Sequence, residues 1–157
     1  MLERVEIDVG ARAALHAHVA VEPRRETGGI LIGHPLDDQT VRVIAISPPG
    51  PRAVKRRFYF SRDTRFLQGW LDRRCARSGG RDDYVGEWHV HHALDVPPSC
   101  VDRCSLWRIA SKSNYPTAAP VLLIVEDVPA ERRLRGYGFA VNPKRACSGL
   151  SVEPGEG

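Results

Sequence analysis

The alternation of apolar and polar positions predicts a chain of short strands interrupted by three amphipathic helices. Val5, Ile7 and Val9 alternate with other residues as in a half-buried strand, and a helical period follows over about residues 11–21. The same two periods predict further strands over residues 26–33, 41–46, 58–60, 84–91, 121–125 and 134–141, and further helices over residues 61–77 and 99–111.

Strands that alternate with helices indicate an α/β domain with one central mixed sheet flanked by helices. The 157 residues are enough for a single domain with a substantial core. Residues 121–125 form a continuous apolar run, which is typical of a strand in the centre of a sheet. We expect the domain to cover residues 1–147, and the polar, glycine-rich segment 148–157 to be a disordered tail.

The charge and the cysteines restrict the environment and the partners. The net charge is +4, and basic residues cluster at residues 52–57 and 132–135, where they could bind nucleic acid, steer an acidic partner or simply be solvated. The first residues lack the apolar segment of a signal peptide, and no apolar run is long enough to span a bilayer. We therefore expect a cytoplasmic protein without a membrane partner, with its four cysteines reduced.

The stretch GEWHVHHALDVPPSCVDR contains the densest group of potential metal ligands. Side chains two residues apart share one face of a strand, so His89 and His91 are expected to project together. Two imidazoles can bind zinc, and a third ligand leaves one position open for water. Asp102 is the candidate third ligand, because it lies in the first turn of the next predicted helix. Glu87 and His92 are expected to lie off the histidine face, in structural or rim positions.

These residues and Ser99 follow the order His-x-His, seven residues, Ser, two residues, Asp. This spacing resembles the JAMM motif of the JAB/MPN metalloprotease family, in which a glutamate also stands far upstream, near a glycine pair. Glu26, in the stretch ETGGILIG, is at the matching position. The resemblance covers almost the whole chain. It implies a cytidine-deaminase-like JAB/MPN fold and one Zn²⁺ per chain, held by His89, His91 and Asp102.

The resemblance also implies the catalytic roles. Glu26 would accept a proton from water and return it to the leaving amine, as a general acid/base does. Ser99 would donate a hydrogen bond to the oxyanion of the tetrahedral intermediate. Family members usually have Ser or Thr between the two histidines and Pro after the second, whereas this chain has Val90 and His92. The departure leaves the start of the following loop and the role of His92 open.

Other interpretations of the same residues are weaker. The chain has no His-Glu-x-x-His, which excludes a zincin. A zinc deaminase needs His-x-Glu and Pro-Cys-x-x-Cys, and this chain has neither. The pair Ser99 and Asp102 also fits a helix N-terminal cap. A carboxylate that serves the helix backbone is expected to be only partly available to a metal.

The resemblance implies a deubiquitinase-like zinc metallopeptidase. Its substrate would be the amide or isopeptide bond after the C-terminal glycine of a ubiquitin-like protein or a similarly conjugated protein, in deconjugation or precursor processing. Bacterial members accompany E1-like and E2-like enzymes in conjugation systems, including antiphage systems. The family binds the modifier's tail by strand addition. Residues 47–57 and 111–120 are the candidate loops for this in the present chain.

Three alternatives stay open at this point. A peptidase acting on a sulfur-carrier protein would use the same bond chemistry. A non-catalytic MPN interaction module is disfavoured, because such modules typically lack ligands that are all present here. A nucleic-acid-binding domain is also disfavoured, because no recognised motif accompanies the basic residues. The sequence does not reveal the modifier, its target or the oligomeric state.

Overall fold

The computed structural model describes residues 2–111, 119–139 and 148–155. The described strands are β1 (Arg4–Ile7), β2 (Gly28–Pro35), β3 (Thr40–Ile46), β4 (Val54–Arg56), β5 (Tyr59–Ser61), β6 (Asp83–His91), β7 (Val121–Val128), β8 (Glu131–Gly138) and β9 (Ser148–Pro154). The described helices are α1 (Val9–Val21), α2 (Thr64–Arg77) and α3 (Cys100–Ala110), at the three places where the helical period predicts them. None of these helices is both long and apolar enough to cross a bilayer.

Seven strands form one sheet in the order β1-β3-β2-β6-β7-β8-β9, and β9 pairs in turn with β1, so the sheet closes into a barrel. The β1–β3, β1–β9 and β6–β7 pairs are parallel, and the other pairs in the barrel are antiparallel. β4 and β5 form a separate two-stranded hairpin. The predicted α/β class with a mixed sheet and packed helices is confirmed, and the closure of the sheet is an additional finding.

The helices cover different faces of the sheet. Leu15 of α1 packs in the main core together with Leu123 of β7. Leu106 of α3 packs with Leu122. Leu122 is the neighbour of Leu123 on β7, and its side chain points to the opposite face of the strand. α2 places Leu67 in a third apolar cluster with residues of β2 and β6. Strand β7 is therefore buried on both faces, as its continuous apolar run predicts.

The prediction of a disordered tail from residue 148 is wrong for Ser148–Pro154, which form β9. This strand lies between β1 and β8, and its Leu150 and Val152 pack against the main core. The polar, glycine-rich composition of this segment suggests disorder, but main-chain hydrogen bonds to both neighbouring strands hold it in the sheet. Small polar residues form such main-chain hydrogen bonds as well as apolar residues do. Only two apolar side chains of this strand, those of Leu150 and Val152 at alternate positions, pack against the core.

Several element boundaries differ from the predictions by a few residues, and two of the shifts have local reasons. α2 begins at Thr64 rather than near residue 61, because Asp63 is its N-cap and accepts a hydrogen bond from the Phe66 amide at 3.2 Å. β8 begins at Glu131, three residues before the predicted start, directly after a turn in which Ala130 has a φ of 72°. Neither shift changes the position of the strands that carry the candidate site.

Candidate functional site

The candidate site lies at the carboxyl end of β6. Trp88 and Val90 are buried in the main core. His89 and His91 alternate with them and therefore point to the opposite face of the strand. The His89 side chain is 14% exposed. The two imidazoles thus share one partly buried face, which is the arrangement that the strand period predicts.

Glu87 shares this face, and the expectation that it lies away from the histidines is wrong. Residues 87, 89 and 91 have the same parity along the strand, so the period itself places Glu87 beside His89. Glu87 Oε2 lies 3.8 Å from His89 Nε2, and the Glu87 side chain is only 1% exposed. Its other oxygen, Oε1, pairs with Arg62 Nη1 and accepts a hydrogen bond from the Tyr84 hydroxyl at 3.4 Å. A buried carboxylate therefore borders the site.

Ser99 and Asp102 meet at the first turn of α3. Ser99 Oγ accepts a hydrogen bond from the Asp102 amide at 3.1 Å and donates one to Asp102 Oδ2 at 2.6 Å. The Ser99 amide donates to the same Oδ2 at 2.9 Å, which completes a capping box. The second oxygen, Asp102 Oδ1, lies 3.0 Å from His89 Nδ1. The cap therefore uses one oxygen of Asp102, and the other one faces the histidine.

Glu26 lies beside the site because the segment before β2 is fixed from two sides. Its amide donates a hydrogen bond to the Arg56 carbonyl of β4 at 2.8 Å, and the Thr27 carbonyl accepts one from the backbone of β6 at 2.9 Å. Gly28 is paired with His89 across the β2–β6 ladder. A Cβ at position 28 would lie 2.8 Å from His89 Cδ2. A glycine is needed here so that the segment can lie flat against the imidazole.

The charges of the site influence one another's ionisation. Burial raises the pKa of Glu26 above its ordinary value, while the positive charge of His89 opposes the rise and the negative charge of Asp102 adds to it. Burial also disfavours ionised Asp102, but hydrogen bonds from His89 and Ser99 outweigh it and hold the pKa of Asp102 well below its usual range. Burial lowers the pKa of His91. At neutral pH the site therefore holds a charged Asp102 and a neutral His91, the forms that bind metals.

The donor set fits zinc, although the side chains are not gathered around one point. Within residues 2–111, 119–139 and 148–155, no three His, Cys, Asp or Glu side chains are grouped closely enough to hold a metal ion as they stand. Two of the candidate ligand atoms, His89 Nδ1 and Asp102 Oδ1, lie 3.0 Å apart and share a hydrogen bond. His91 Nδ1 is buried without a hydrogen-bond partner in the described part of the chain. Two imidazoles and a carboxylate are a ligand set that catalytic zinc accepts.

A second buried carboxylate, Glu126 of β7, fixes the loop between β6 and α3. Its Oε1 accepts a hydrogen bond from the Asp95 amide at 2.9 Å, and the Asp95 carboxylate pairs with Arg135 at 2.8 Å. His92 Nδ1 lies 3.2 Å from the Asp127 carbonyl oxygen, which ties the start of this loop to β7. The sequence gives little warning of Glu126, because it stands at the end of an apolar run without any motif around it.

The hairpin formed by β4 and β5 lies against His89. The Phe60 ring meets the His89 ring edge-on, with the ring centroids 5.9 Å apart. Phe58 and Tyr59 are 79% and 54% exposed, so the hairpin presents apolar surface next to the site. The other loop considered for substrate binding, residues 111–120, lies almost entirely outside the described residues.

Comparisons with known sequences find one protein family. A profile of prokaryotic homologs of the JAB domain matches residues 8–136. The matched span contains every candidate site residue, namely Glu26, His89, His91, Ser99 and Asp102.

Curated relatives carry two different names. The probable metalloprotease y4qB of Sinorhizobium fredii (strain NBRC 101917 / NGR234) is 32% identical over 64% of this chain and 62% of its own length. A CD-NTase/cGAS isopeptidase of Enterobacter hormaechei subsp. hoffmannii is 37% identical over 67% of this chain and 57% of its own length. A protein of the same name from Vibrio cholerae is 36% identical over 53% of this chain and 52% of its own length. The chain thus spans little more than half the length of these relatives.

A solved structure resembles the fold. The solution structure of protein DSY2949 from Desulfitobacterium hafniense matches with a TM-score of 0.70, over 98% of this chain and 94% of that chain. The sequence identity is 19%, so this similarity concerns the fold alone.

Proposed function

Because the chain belongs to the family of prokaryotic homologs of the JAB domain, we propose that it is a zinc-dependent JAMM-type peptidase that cleaves the amide bond of a conjugated protein. The contact of 3.0 Å between Asp102 Oδ1 and His89 Nδ1 carries this proposal, because it joins the helix and the strand of the motif. The charges of both residues act on nearby Glu26. The names metalloprotease and isopeptidase among the relatives support the same class of reaction.

His89, His91 and Asp102 would hold the zinc ion. Once bound, zinc would act as a Lewis acid and bring the pKa of a water molecule toward about 7. Binding requires removal of the proton between His89 and Asp102, so zinc affinity should fall as the pH is lowered. The ionised state of Asp102 and the lowered pKa of His91 favour binding near neutral pH.

Glu26 would serve as the general acid/base. It takes a proton from the attacking water and gives it to the amine that leaves the cleaved bond. A base works best when its pKa approaches the working pH, and burial moves the pKa of Glu26 in that direction. Its place outside the proposed ligand set keeps its carboxylate available for proton transfer.

Ser99 would donate a hydrogen bond to the oxygen of the scissile carbonyl as negative charge develops there. Its hydroxyl has one proton, and that proton is engaged with Asp102 Oδ2 at 2.6 Å. Ser99 can therefore assist the substrate only when its hydroxyl turns away from Asp102. The backbone amide of Ser99 would continue to hold Asp102 Oδ2 during this change.

The proposed substrate is a protein joined through its C-terminal glycine to an amine of a second protein. Two relatives are named CD-NTase/cGAS isopeptidases, so a conjugated CD-NTase-type enzyme is the first substrate to test, and a ubiquitin-like conjugate is the second. Conjugating enzymes of the same system would supply it. An extended tail could add as a strand to the β4–β5 hairpin, which pairs with no other described strand and lies against His89.

The proposal is tested with the zinc-loaded wild type, Glu26→Ala and His89→Ala, each incubated with the isopeptide-linked conjugates. Cleavage is followed on denaturing gels, the new C-terminus is identified by mass spectrometry, and bound zinc is measured for each protein. The wild type should release a protein that ends in glycine. Glu26→Ala should keep stoichiometric zinc and retain the uncleaved conjugate. His89→Ala should lose the zinc and the activity together.

Other results would change the assignment. Wild-type turnover by Glu26→Ala would remove Glu26 as the base, and stoichiometric zinc in His89→Ala would remove His89 as a ligand. If the zinc-loaded wild type cleaves no conjugate but trims a sulfur-carrier protein, the alternative peptidase function is correct. If it cleaves neither, the proposed substrate class is wrong, and the chain is either a non-catalytic interaction module or a peptidase with a different substrate.

A further inference from the structure

Glu87 ends beside the candidate site, yet the proposed reaction gives it no role. Its side chain is 1% exposed, and a buried carboxylate is costly unless it is well paired. Arg62 compensates its charge, and the Tyr84 hydroxyl adds a hydrogen bond, but both contact Oε1. Oε2 has no hydrogen-bond partner among the described residues. This half of the carboxylate is therefore available for an interaction of its own.

Oε2 of Glu87 faces a ring nitrogen that is also without a partner. His89 Nε2 lies 3.8 Å away, is buried, and has no hydrogen bond in the described part of the chain. The separation exceeds the roughly 2.7–3.2 Å of an N–H···O hydrogen bond, so the two atoms are neighbours that are not hydrogen-bonded to each other. A carboxylate oxygen only accepts, whereas a protonated ring nitrogen donates. Each atom is thus the partner that the other one lacks.

The two ring nitrogens of His89 face different carboxylates, those of Asp102 and Glu87. Nδ1 lies 3.0 Å from Asp102 Oδ1, on the side of the proposed zinc ligands, and Nε2 lies on the side of Glu87. A neutral imidazole carries one N–H, and its other nitrogen has a free lone pair. The nitrogen that keeps the proton therefore determines which nitrogen can bind a metal.

We infer that Glu87 is a positioning residue that keeps the proton of His89 on Nε2 and so leaves Nδ1 as the metal ligand. The inference rests on the proposed zinc centre. Metal-ligating histidines usually donate their other N–H to such a partner, which fixes the tautomer and the ring orientation. Arg62 contacts the other oxygen, Oε1, and so holds this carboxylate in place beside the site.

Asp82 provides a matched control for a purely structural role. It is also a buried acid, 4% exposed at its side chain, and it pairs with His34 Nδ1 at 2.7 Å and with Arg81 at 3.2 Å. It precedes the other end of β6, away from the candidate ligands. Asp82→Asn and Glu87→Gln each remove the charge of a buried acid that contacts one histidine and one arginine. Only Glu87→Gln should affect a metal centre.

The first measurement is the affinity for zinc alone, by competition with a chromophoric chelator at neutral pH. We expect Glu87→Gln to lower it about 10- to 100-fold, because a neutral amide can donate as well as accept and no longer fixes the proton on Nε2. Asp82→Asn should bind zinc like the wild type, and circular dichroism checks that both variants are folded. Equal zinc affinities of Glu87→Gln and Asp82→Asn would overturn the inference.

The second measurement uses only the zinc-loaded wild type, so it holds even if Glu87→Gln fails to fold. Long-range ¹H–¹⁵N correlation spectra should show His89 protonated at Nε2 and without a proton at Nδ1. The reverse tautomer would overturn the role of Glu87 and leave the zinc centre intact. If the wild type binds no zinc at all, the proposed metal centre fails, and the inference fails with it.

Discussion

Asp102 serves two structures with one side chain. Its Oδ2 belongs to the cap of α3, and its Oδ1 is directed toward His89. Because the cap already fixes the rotamer, the loss of side-chain freedom occurs when the protein folds and not when a metal binds. Capping and ligation, which compete in an interpretation of the sequence, are therefore compatible in the structure. The cap would orient the ligand.

The pH dependence of turnover should report the ionisation of Glu26. Burial raises its pKa above 4.5, and a protonated Glu26 cannot accept a proton, so kcat should fall as the pH drops through this raised value. The positive charge of His92 lowers the pKa of Glu26. His92→Gln should therefore move the acid limb of the profile to higher pH. The measurement is kcat against pH for both proteins, each saturated with zinc.

The opposite displacement would contradict this assignment. An acid limb that stays in place in His92→Gln would mean that another group limits turnover at low pH. Arg4→Gln is a suitable control, because it removes a surface positive charge that pairs with Glu153 at 3.6 Å on β9. This variant should keep the wild-type profile.

At the scale of single residues, the sequence identifies the groups that a motif or a period marks. The histidine pair follows from strand parity, whereas Glu26 follows from the resemblance to the family motif, which places a glutamate near a glycine pair. The same strand parity could also have placed Glu87 on the face of the histidines. The role of Glu126 could not be predicted in this way, because its partners Asp95 and Arg135 come from other segments of the chain that meet it only in the folded sheet.

The start of α3 combines a structural and a chemical role in Ser99. Ser99→Ala removes the side-chain cap, which should lower the free energy of unfolding by about 0.5–2 kcal/mol. If Ser99 also donates to the substrate, kcat should fall about 100- to 1,000-fold. Chemical denaturation measures the first effect, and steady-state kinetics of the zinc-loaded protein measures the second.

The cap of α2 separates the two roles. Asp63 accepts hydrogen bonds from the Phe66 amide at 3.2 Å and the Arg52 amide at 3.0 Å, so Asp63→Ala should also lose stability. Its kcat should stay at the wild-type value, because α2 supplies no proposed catalytic residue. A Ser99→Ala variant that loses stability but keeps its kcat would reduce Ser99 to a helix cap.

At the scale of elements, local sequence patterns predict the helices better than they predict strand β9. All three helices follow from apolar residues at helical spacing, and the side-chain caps Asp63 and Ser99 explain where α2 and α3 begin. Strand β9 escapes prediction, since an extended segment joins a sheet through its main chain and needs no long apolar run. Apolar patterns therefore identify the interior of the fold, but they miss the strand that closes the barrel.

The stability of the whole molecule should depend on β9. Removal of residues 148–157 would leave β1 and β8 each with an unpaired edge and would expose core contacts of Leu150 and Val152. We expect a lower melting temperature and concentration-dependent association, because unpaired strand edges recruit other chains. Thermal unfolding by circular dichroism and light scattering after gel filtration measure these two effects.

A point variant in the same strand is the matched control. Glu153→Gln removes only the partner of Arg4, in an ion pair that is about half exposed on both sides, and it leaves the β1–β9 ladder intact. Exposed pairs contribute little to stability, so this variant should melt like the wild type and stay unassociated. If the truncated protein behaves in the same way, β9 is dispensable for the barrel.

The closure of the sheet is the feature of the whole molecule that the sequence predicts least. The α/β class follows from the order of the elements, whereas closure depends on a pairing between β1 and β9 that no local period encodes. A resemblance to a family supplies the general fold. The register of individual strands, such as Gly28 opposite His89, becomes visible only in the structure.

The parallel pairing of β1 with β9 also affects the order in which the chain can fold. Arg4 stands opposite Ser151, so the contacts that close the barrel join positions separated by almost the whole sequence. Such distant contacts form slowly, because the entropy of a long loop is lost before they can stabilise anything. During synthesis, β1 can pair with β3 early but must await β9. Synthesis of β9, rather than formation of the candidate site, is therefore expected to set the moment at which the barrel can close.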